Sequence, residues 1–451
     1  MKPAELAQAR GALVAFAAEM LGSLPRCDQR RWGETYLRGL MLDGRRKSIE
    51  PMAARLADGD EQCLQQFVNQ SPWEWQPVRE RLAARMQDAL APLAWIIDDT
   101  GFPKAGRYSV GVARQYSGTL GKVGNCQIGV SISAASAAAS CPLTWRLFLP
   151  AAWDEDTLRR AKAHLPQKER HRPKWQLALE MLDELRTWGL SPPPVVADAG
   201  YGEVSAFRAA LEERELSYLV EVKAAESAYG QDVLPERPAW RGSGRPPQAR
   251  YRRPPDSLRS LALAAGVEKV REVAWREGSR GPMSARFLAL RVRPANVGLR
   301  RAHREALPLA WLLCQWPEGA AEPAKYWLAN LPEEATLAEL VRLAKLRWRI
   351  ELDYRELEGR TRPRSLRGAL VPRLAPSRHA RLAGARLPHP AAPRPKSGCA
   401  GLKPVRRPAR SAAPDGLLDR RLPDLWTEAT PRDCLPARAA MTIPNGALLG
   451  D

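Results

Sequence analysis

From Pro92 onward, short apolar runs alternate with amphipathic helices, and this order constrains the fold more than any other feature of the chain. "LAWIIDDTGFPKAG" is a short apolar run ending in two acids. "NCQIGVSISAAS" and "PLTWRLFLP" follow a Gly-rich connector, "GVARQYSGTLGKVG", and have the alternation or β-branched content of strands. "KWQLALEMLDELRTWGL" has helical spacing and is closed by Gly189 and the break at "SPPP". "PVVADAGYG" reads as a buried strand ending at Asp198, "VSAFRAALEERE" as a helix and "SYLVEVK" as the next strand. Strands, helix, strand, helix, strand predict an α/β core built on a mixed sheet.

The flanks have other periods. Residues 1–90 read as helices. "RRWGETYLRGLML" sets Trp32, Tyr36, Leu37 and Leu40 at helical spacing. "DEQCLQQFVNQSPWEW" ends a second helix at Asn69–Pro72, with Ser71 as the next N-cap and Pro72 at the first helical position. "VRERLAARMQDAL" is a third helix. Such a region suits DNA binding and suits any helical domain equally. Residues 224–335 read as a β-rich insertion: a basic loop, a hairpin around Gly278–Gly281, and the strands "LPLAWLLCQW" and "AKYWLANLP". "TLAELVRLAKLRWRIELDYREL" then resumes the core begun at 91–223 as one helix over 336–358. Thr336 and Glu339 form its capping box.

Past Glu358 the period vanishes. "GRTRPRSLRGALVPRLAPSRHARL" is Arg, Pro, Ala and Leu without order, so residues 359–451 are expected to be a disordered basic tail. That tail holds 18 Lys and Arg against 6 Asp and Glu, which is +12 of the chain's +20. The pI of about 10.1 points to a polyanionic partner, most simply nucleic acid, or to a GC-rich coding sequence that inflates Arg, Ala and Pro. The 7 Cys include no C-x-x-C pair and the 5 His are dispersed, which excludes a disulfide framework and a Cys/His zinc site. Any catalytic metal would have carboxylate ligands. No run of about 18 apolar residues appears, so no membrane partner is expected. The apolar residues of "MKPAELAQARGALVAFAAEM" are interrupted by Glu19, and the expected location is cytoplasmic.

Several acids occupy positions from which an α/β fold presents functional groups. Asp98 and Asp99 end the first core strand, Asp198 ends the strand after the first long helix, and Glu351 lies on the last helix. Converging carboxylates repel one another and become stable around divalent cations. Two Mg²⁺ or Mn²⁺ ions about 4 Å apart clamp a phosphodiester, one activating the attacking oxygen and one stabilising the leaving oxygen. The plainer readings are helix caps and surface ion pairs, and for Glu351 an i,i+4 pair with Arg347.

The blocks "DDTGFPKAGRYSVGVARQYSGTLGKVGNCQIGV", "WRLFLPAAWDED", "VVADAGYGEVSAFRAALEERELSYLVEV" and "LRWRIELDYREL" together resemble the DDE transposases of bacterial insertion sequences. The nearest branch is the insertion sequence 701 family. The resemblance spans roughly residues 10 to 358. It implies a ribonuclease-H-like core interrupted by a β-rich insertion, and metal-dependent strand cleavage and transfer at transposon ends. It implies double-stranded DNA as partner, both terminal inverted repeats and target, a homodimer when active, and a nucleoid-associated setting in a bacterium. It makes Asp98, Asp198 and Glu351 the metal-binding triad. Asp99 is the alternative first ligand; Asp98 is preferred because Thr100 completes the D-x-T pattern of related enzymes. Arg347 matches the family's motif Arg and is expected on DNA phosphate. Lys104, Arg107, Arg114 and Lys122 are candidates to line the DNA path, or a solvated loop face. Trp275 is a candidate to stack on a flipped base, or a core residue. Related enzymes carry a Tyr seven residues before the Glu and a Lys seven after it; here those positions are Ala344 and Glu358.

The resemblance also accounts for the lost period. The family's helix runs on as "YRELKDELGLDHFEGRSW", followed by "GWHHH". Possible codons for Glu358 onward, read one base later, give "KDELG". Pro363 to Gly368 then permit "LDHFEG", and Arg373 to Ser377 permit "GWHHH". Two of the three bases in every shifted codon are fixed by the protein. The reading frame is therefore expected to slip near Leu357, and the tail's charge is an accident of frame.

Overall fold

The computed structural model describes residues 3–42, 47–118, 121–240, 242–245, 247–278, 281–295 and 306–353. Five helices come first: α1 (Pro3–Leu21), α2 (Cys27–Met41), α3 (Ile49–Ala53), α4 (Glu61–Asn69) and α5 (Gln76–Leu90). The helix expected to start at Ser71–Pro72 starts instead at Gln76, with Pro77 in its first turn. Ser71 is used otherwise: its Oγ accepts a 2.9 Å bond from Gln29 Nε2, which ties the loop to α2. Trp73 in the same non-helical stretch stacks on Phe67 with ring centroids 5.4 Å apart.

The strands of the central sheet that follow are β1 (Ala94–Pro103), β2 (Ala113–Ser117), β3 (Lys122–Ala135), β4 (Ser140–Phe148), β5 (Val195–Ala197) and β6 (Tyr218–Val222). Between β4 and β6 lie α6 (Ala152–Glu155), α7 (Thr157–Lys162), α8 (Lys174–Thr187), α9 (Ala199–Gly202) and α10 (Ser205–Glu213). β1 pairs antiparallel with β3 along its whole length, β3 pairs antiparallel with β4, and β5 and β6 run parallel to β1. The order β4-β3-β1-β5-β6 is that of a ribonuclease-H-like core. The Gly-rich connector is a hairpin of β2 with the start of β3. β1 does not end at the acids. Its parallel pairing with β5 stops at Ile97, but its antiparallel pairing with β3 continues to Pro103.

Alternation along these strands sends side chains to two cores. Trp95 and Ile97 of β1, Val195 and Ala197 of β5 and Val220 of β6 meet Met181, Leu182 and Leu185 of α8 and Phe207 and Leu211 of α10. Met181, Leu182 and Leu185 are each 0% exposed, and each such burial contributes roughly 1.5–3 kcal/mol. Ile96, Val196 and Leu219 face the other way, toward Leu340, Val341, Ala344 and Ile350.

The insertion contributes β7 (Ser227–Gly230), β8 (Asp256–Ser257), α11 (Leu258–Ala265), β9 (Arg271–Gly278), β10 (Gly281–Pro294), β11 (Ala310–Gln315) and β12 (Lys325–Ala329). It extends the core sheet rather than forming a separate layer: β12 pairs antiparallel with β6, and the sheet continues through β11, β10, β7 and β8. The final helix α12 (Leu337–Lys345) opens with the expected capping box. Glu339 N donates to Thr336 Oγ1 at 3.2 Å, and Thr336 N donates to Glu339 Oε2 at 2.8 Å. The single helix expected over 336–358 is broken. Residues 346–347 form a turn, and a helical segment resumes at 348–353. The turn keeps Leu346 buried while Arg347 reaches the sheet edge. Glu358 and the expected tail at 359–451 lie outside the described residues. No described helix is long and apolar enough to cross a membrane.

Candidate active site

The register of the parallel strands sets two acids side by side. Ile97 is level with Ala197 across β1 and β5, and the next residues are Asp98 and Asp198. Asp98 shares its strand face with Ile96 and Asp198 shares its face with Val196, so both carboxylates look toward α12. Asp198 is also the N-cap of α9, accepting from Gly200 N at 2.9 Å. Gly202 closes that short helix against β6. A Cβ there would strike the Glu221 carbonyl oxygen, so the last Gly of "AGYG" is required by packing.

Arg347 lies across the pair. Its Nη2 is 3.2 Å from Asp98 Oδ1 and 3.6 Å from Asp198 Oδ2. Both contacts are longer than the 2.7–2.9 Å typical of a charge-assisted bond, so the guanidinium is shared between them. Its Nε is buried with no hydrogen-bond partner. Burial pushes the Asp98 carboxyl up to about 6; Arg347 opposes the shift, and the charges of Asp198 and Asp99 add to it. Asp198 is raised for the same first reason, burial, with Arg347 opposing and Asp99 adding. One guanidinium does not neutralise the carboxylates that converge here. Their hard oxygens and uncompensated charge fit a divalent cation.

Asp99 points to the opposite face, where Lys174 Nζ lies 2.6 Å from its Oδ2. Glu351 is one turn past Arg347 on the segment 348–353 and is exposed. Among the described residues no three His, Cys, Asp or Glu side chains form a group able to hold a metal ion. The structure thus brings Asp98 and Asp198 together and leaves Glu351 outside the pair. The segment is anchored below Glu351: Asp353 accepts from Ser140 N at 3.0 Å and pairs with Arg349 at 2.9 Å.

Residues 19–282, more than half of the chain, match the family described as DDE superfamily endonuclease. The chain belongs to that superfamily. It is also similar to the "Probable transposase for insertion sequence element IS701" of Microchaete diplosiphon, with 28% identity over 202 residues, 44% of this chain and 50% of that protein. The chain spans about half the length of this curated relative. DDE endonucleases generally use divalent metal ions, which agrees with the donor chemistry of the aspartate pair.

The other candidate residues of this member of the superfamily are dispersed. Arg107, Arg114 and Lys122 are exposed, and Arg114 and Lys122 sit on the β2–β3 hairpin. Lys104 is half-buried just beyond β1, and burial lowers its ammonium pKa. Trp275 on β9 is occupied by packing. Phe287 meets it edge-on with centroids 6.2 Å apart, and Lys345 Nζ lies 5.2 Å from its ring. Two residues near the acids escaped sequence reasoning. Lys174 opens α8 and carried no motif. Tyr201 follows Asp198 in "PVVADAGYG" and carried no motif, yet it is 2% exposed, with its hydroxyl unpaired in the protein. Burial, then the charges of Asp99, Asp198 and Asp98, holds its phenol well above the usual range.

Proposed function

We propose that this protein is a DDE transposase by descent, cleaving and rejoining DNA strands at the ends of an insertion sequence. The observation that carries the reading is the placement of Asp98 and Asp198 directly after the last paired residues of two neighbouring parallel strands, with Arg347 across them. Asp98 and Asp198 would hold Mg²⁺ or Mn²⁺, with Glu351, one turn past Arg347, as the third ligand of an active complex. Bound there, the ions polarise the scissile phosphodiester and lower the pKa of the attacking water or 3′-hydroxyl. Arg347 binds phosphate, since its guanidinium is the cation nearest the acids and keeps an unpaired Nε–H. Lys104, Arg107, Arg114 and Lys122 extend positive charge away from the pair along the DNA path. Double-stranded DNA carrying terminal repeats is the substrate.

The exposed position of Glu351 favours a second reading for this copy: a product that binds transposon ends without cutting them and interferes with intact transposase. A labelled duplex containing an insertion-sequence end, incubated with the protein and Mg²⁺ or Mn²⁺, separates the two. Nicking that is lost in Asp98→Asn and Asp198→Asn supports the enzyme. Retention of the duplex without nicking supports the binding product. Neither binding nor nicking of any such duplex would sink both.

A further inference from the structure

The row of acids along the sheet edge has a third member that is not Glu351. Ala197 of β5 is level with Val220 of β6, just as it is level with Ile97 of β1. The next residue in each strand is an acid: Asp98, Asp198 and Glu221. Leu219 packs into the same core as Ile96 and Val196, so alternation puts Glu221 on the face that carries Asp98, Asp198 and Arg347. The sequence gives this residue no motif, because "SYLVEVK" reads as an ordinary strand.

Glu221 is partly buried, with its side chain 22% exposed, and its Oε1 accepts from Lys325 Nζ at 3.3 Å. A carboxylate has two oxygens, and Oε2 can accept a second donor. Arg347 supplies an unmet one, because its Nε–H is buried without a partner and its Nη2 contacts to the aspartates are long. Burial acts against the charge of Arg347. Asp98, Asp198, Glu221 and Glu351, in that order, act for it, and the balance is upward. Glu221 is therefore a third carboxylate on the sheet face that Arg347 covers, beside the two that the guanidinium already touches.

A divalent cation and a guanidinium cannot share one carboxylate pair without strong repulsion. We propose that Glu221 is a positioning residue: it takes the guanidinium of Arg347 when a divalent cation enters between Asp98 and Asp198, and so clears the pair while keeping Arg347 beside it. The proposal rests on the reading of Asp98 and Asp198 as cation ligands.

Mn²⁺ binding to the full-length protein, measured by calorimetry without DNA, tests it in a double-mutant cycle. Glu221→Gln should weaken Mn²⁺ binding about fivefold or more, because Arg347 then stays on the aspartates. Glu221→Asp, which keeps the charge, should recover part of the loss. Arg347→Met should tighten binding, and Glu221→Gln added to Arg347→Met should change nothing further. Equal weakening by Glu221→Gln in both backgrounds would make Glu221 a direct ligand and overturn the positioning role. No weakening in either background, with thermal unfolding unchanged, would overturn it as well. Asp98→Asn is the separate control. If it leaves Mn²⁺ affinity intact, the aspartate pair is not the cation site, and the proposal falls with that reading rather than by its own test.

Discussion

Asp98 and Asp99 are neighbours in the chain and face opposite sides of the sheet, Asp98 toward Arg347 at 3.2 Å and Asp99 toward Lys174 at 2.6 Å. A strand's alternation makes this unavoidable, and on the proposed reading Asp98 rather than Asp99 is the cation ligand. Asp98→Asn is expected to lower Mn²⁺ affinity by about 10–100-fold or more, since altering even the outer partners of a metal ligand has effects of that size. Asp99→Asn removes a partly exposed ion pair and should cost only about 0–1 kcal/mol of stability. Calorimetric titration and urea unfolding of both variants check this. An Asp99→Asn variant that loses the metal while Asp98→Asn keeps it would reverse the assignment.

Gly202 supports Asp198 from behind. The α9 turn packs so closely on β6 that an added Cβ would meet the Glu221 carbonyl and approach the Val220 side chain at 3.0 Å. Backbone cannot give way as a flexible side chain does. Gly202→Ala should destabilise the protein by about 1–3 kcal/mol, the usual cost of overpacking. Thermal melts give the first readout. An unchanged melting temperature would show that the turn has room to move.

Much of this geometry was legible in the sequence because it depends on local pattern. The apolar runs ending in acid gave β1 and β5, and Thr336 with Glu339 marked the start of α12. What stayed hidden depends on register and on distant partners. That Glu221 lies level with Asp198 follows from how β6 pairs with β5, which no single-strand pattern carries. The turn at 346–347 interrupts a sequence with unbroken helical character and sets Arg347 against the aspartates, a placement that no local pattern carries. Ser71 and Pro72 looked like a helix start, but Ser71 bonds to Gln29 and Trp73 stacks on Phe67, partners that the local pattern does not show.

Lys345 joins α12 to the insertion with its Nζ at 5.2, 5.4 and 5.5 Å from the ring centroids of Trp275, Phe287 and Trp327. Burial pushes its ammonium down to about 8, Lys325 adds to the shift, and Glu221 opposes it. The ring faces favour the charged form and offset part of that penalty. The sign follows from proton counting. Between about pH 8 and the ordinary lysine value the unfolded chain binds the extra proton, so stability contributed at this position rises with pH across that window. Relative to Lys345→Met, the native protein should gain stability from pH 8 to pH 10. A difference between the two that stays flat with pH would show that the rings fully compensate the burial.

Arg276 on β9 stacks over Trp348 with its guanidinium carbon 3.8 Å from the ring centroid, joining the insertion hairpin to the segment that carries Glu351. Arg276→Ala and Trp348→Ala should show a coupling of about 0.5–2 kcal/mol in a double-mutant cycle of urea unfolding. Additive losses would mean that the two side chains contribute independently.

The helical segment that carries Glu351 is fixed from two sides, by Trp348 against Arg276 and by Asp353 on Ser140. Glu351 nevertheless stays exposed and does not join Asp98 and Asp198. The frame slip read from the sequence falls near Leu357, about one and a half turns past Glu351. On the expected frame slip, the restored frame would continue the family's helix and supply a Lys at the position of Glu358, exchanging repulsion of DNA phosphate for attraction. A looseness near 1 Å in a catalytic acid can cost on the order of 100-fold in rate. Removing one base near codon 357 should therefore raise excision of the element in a plasmid assay by about that factor. The same change should fail to raise excision in an Asp98→Asn background, which ties the gain to the acids rather than to expression. If the present sequence excises its element as well as the frame-restored version, the segment after Glu351 is not damaged and the basic tail is functional.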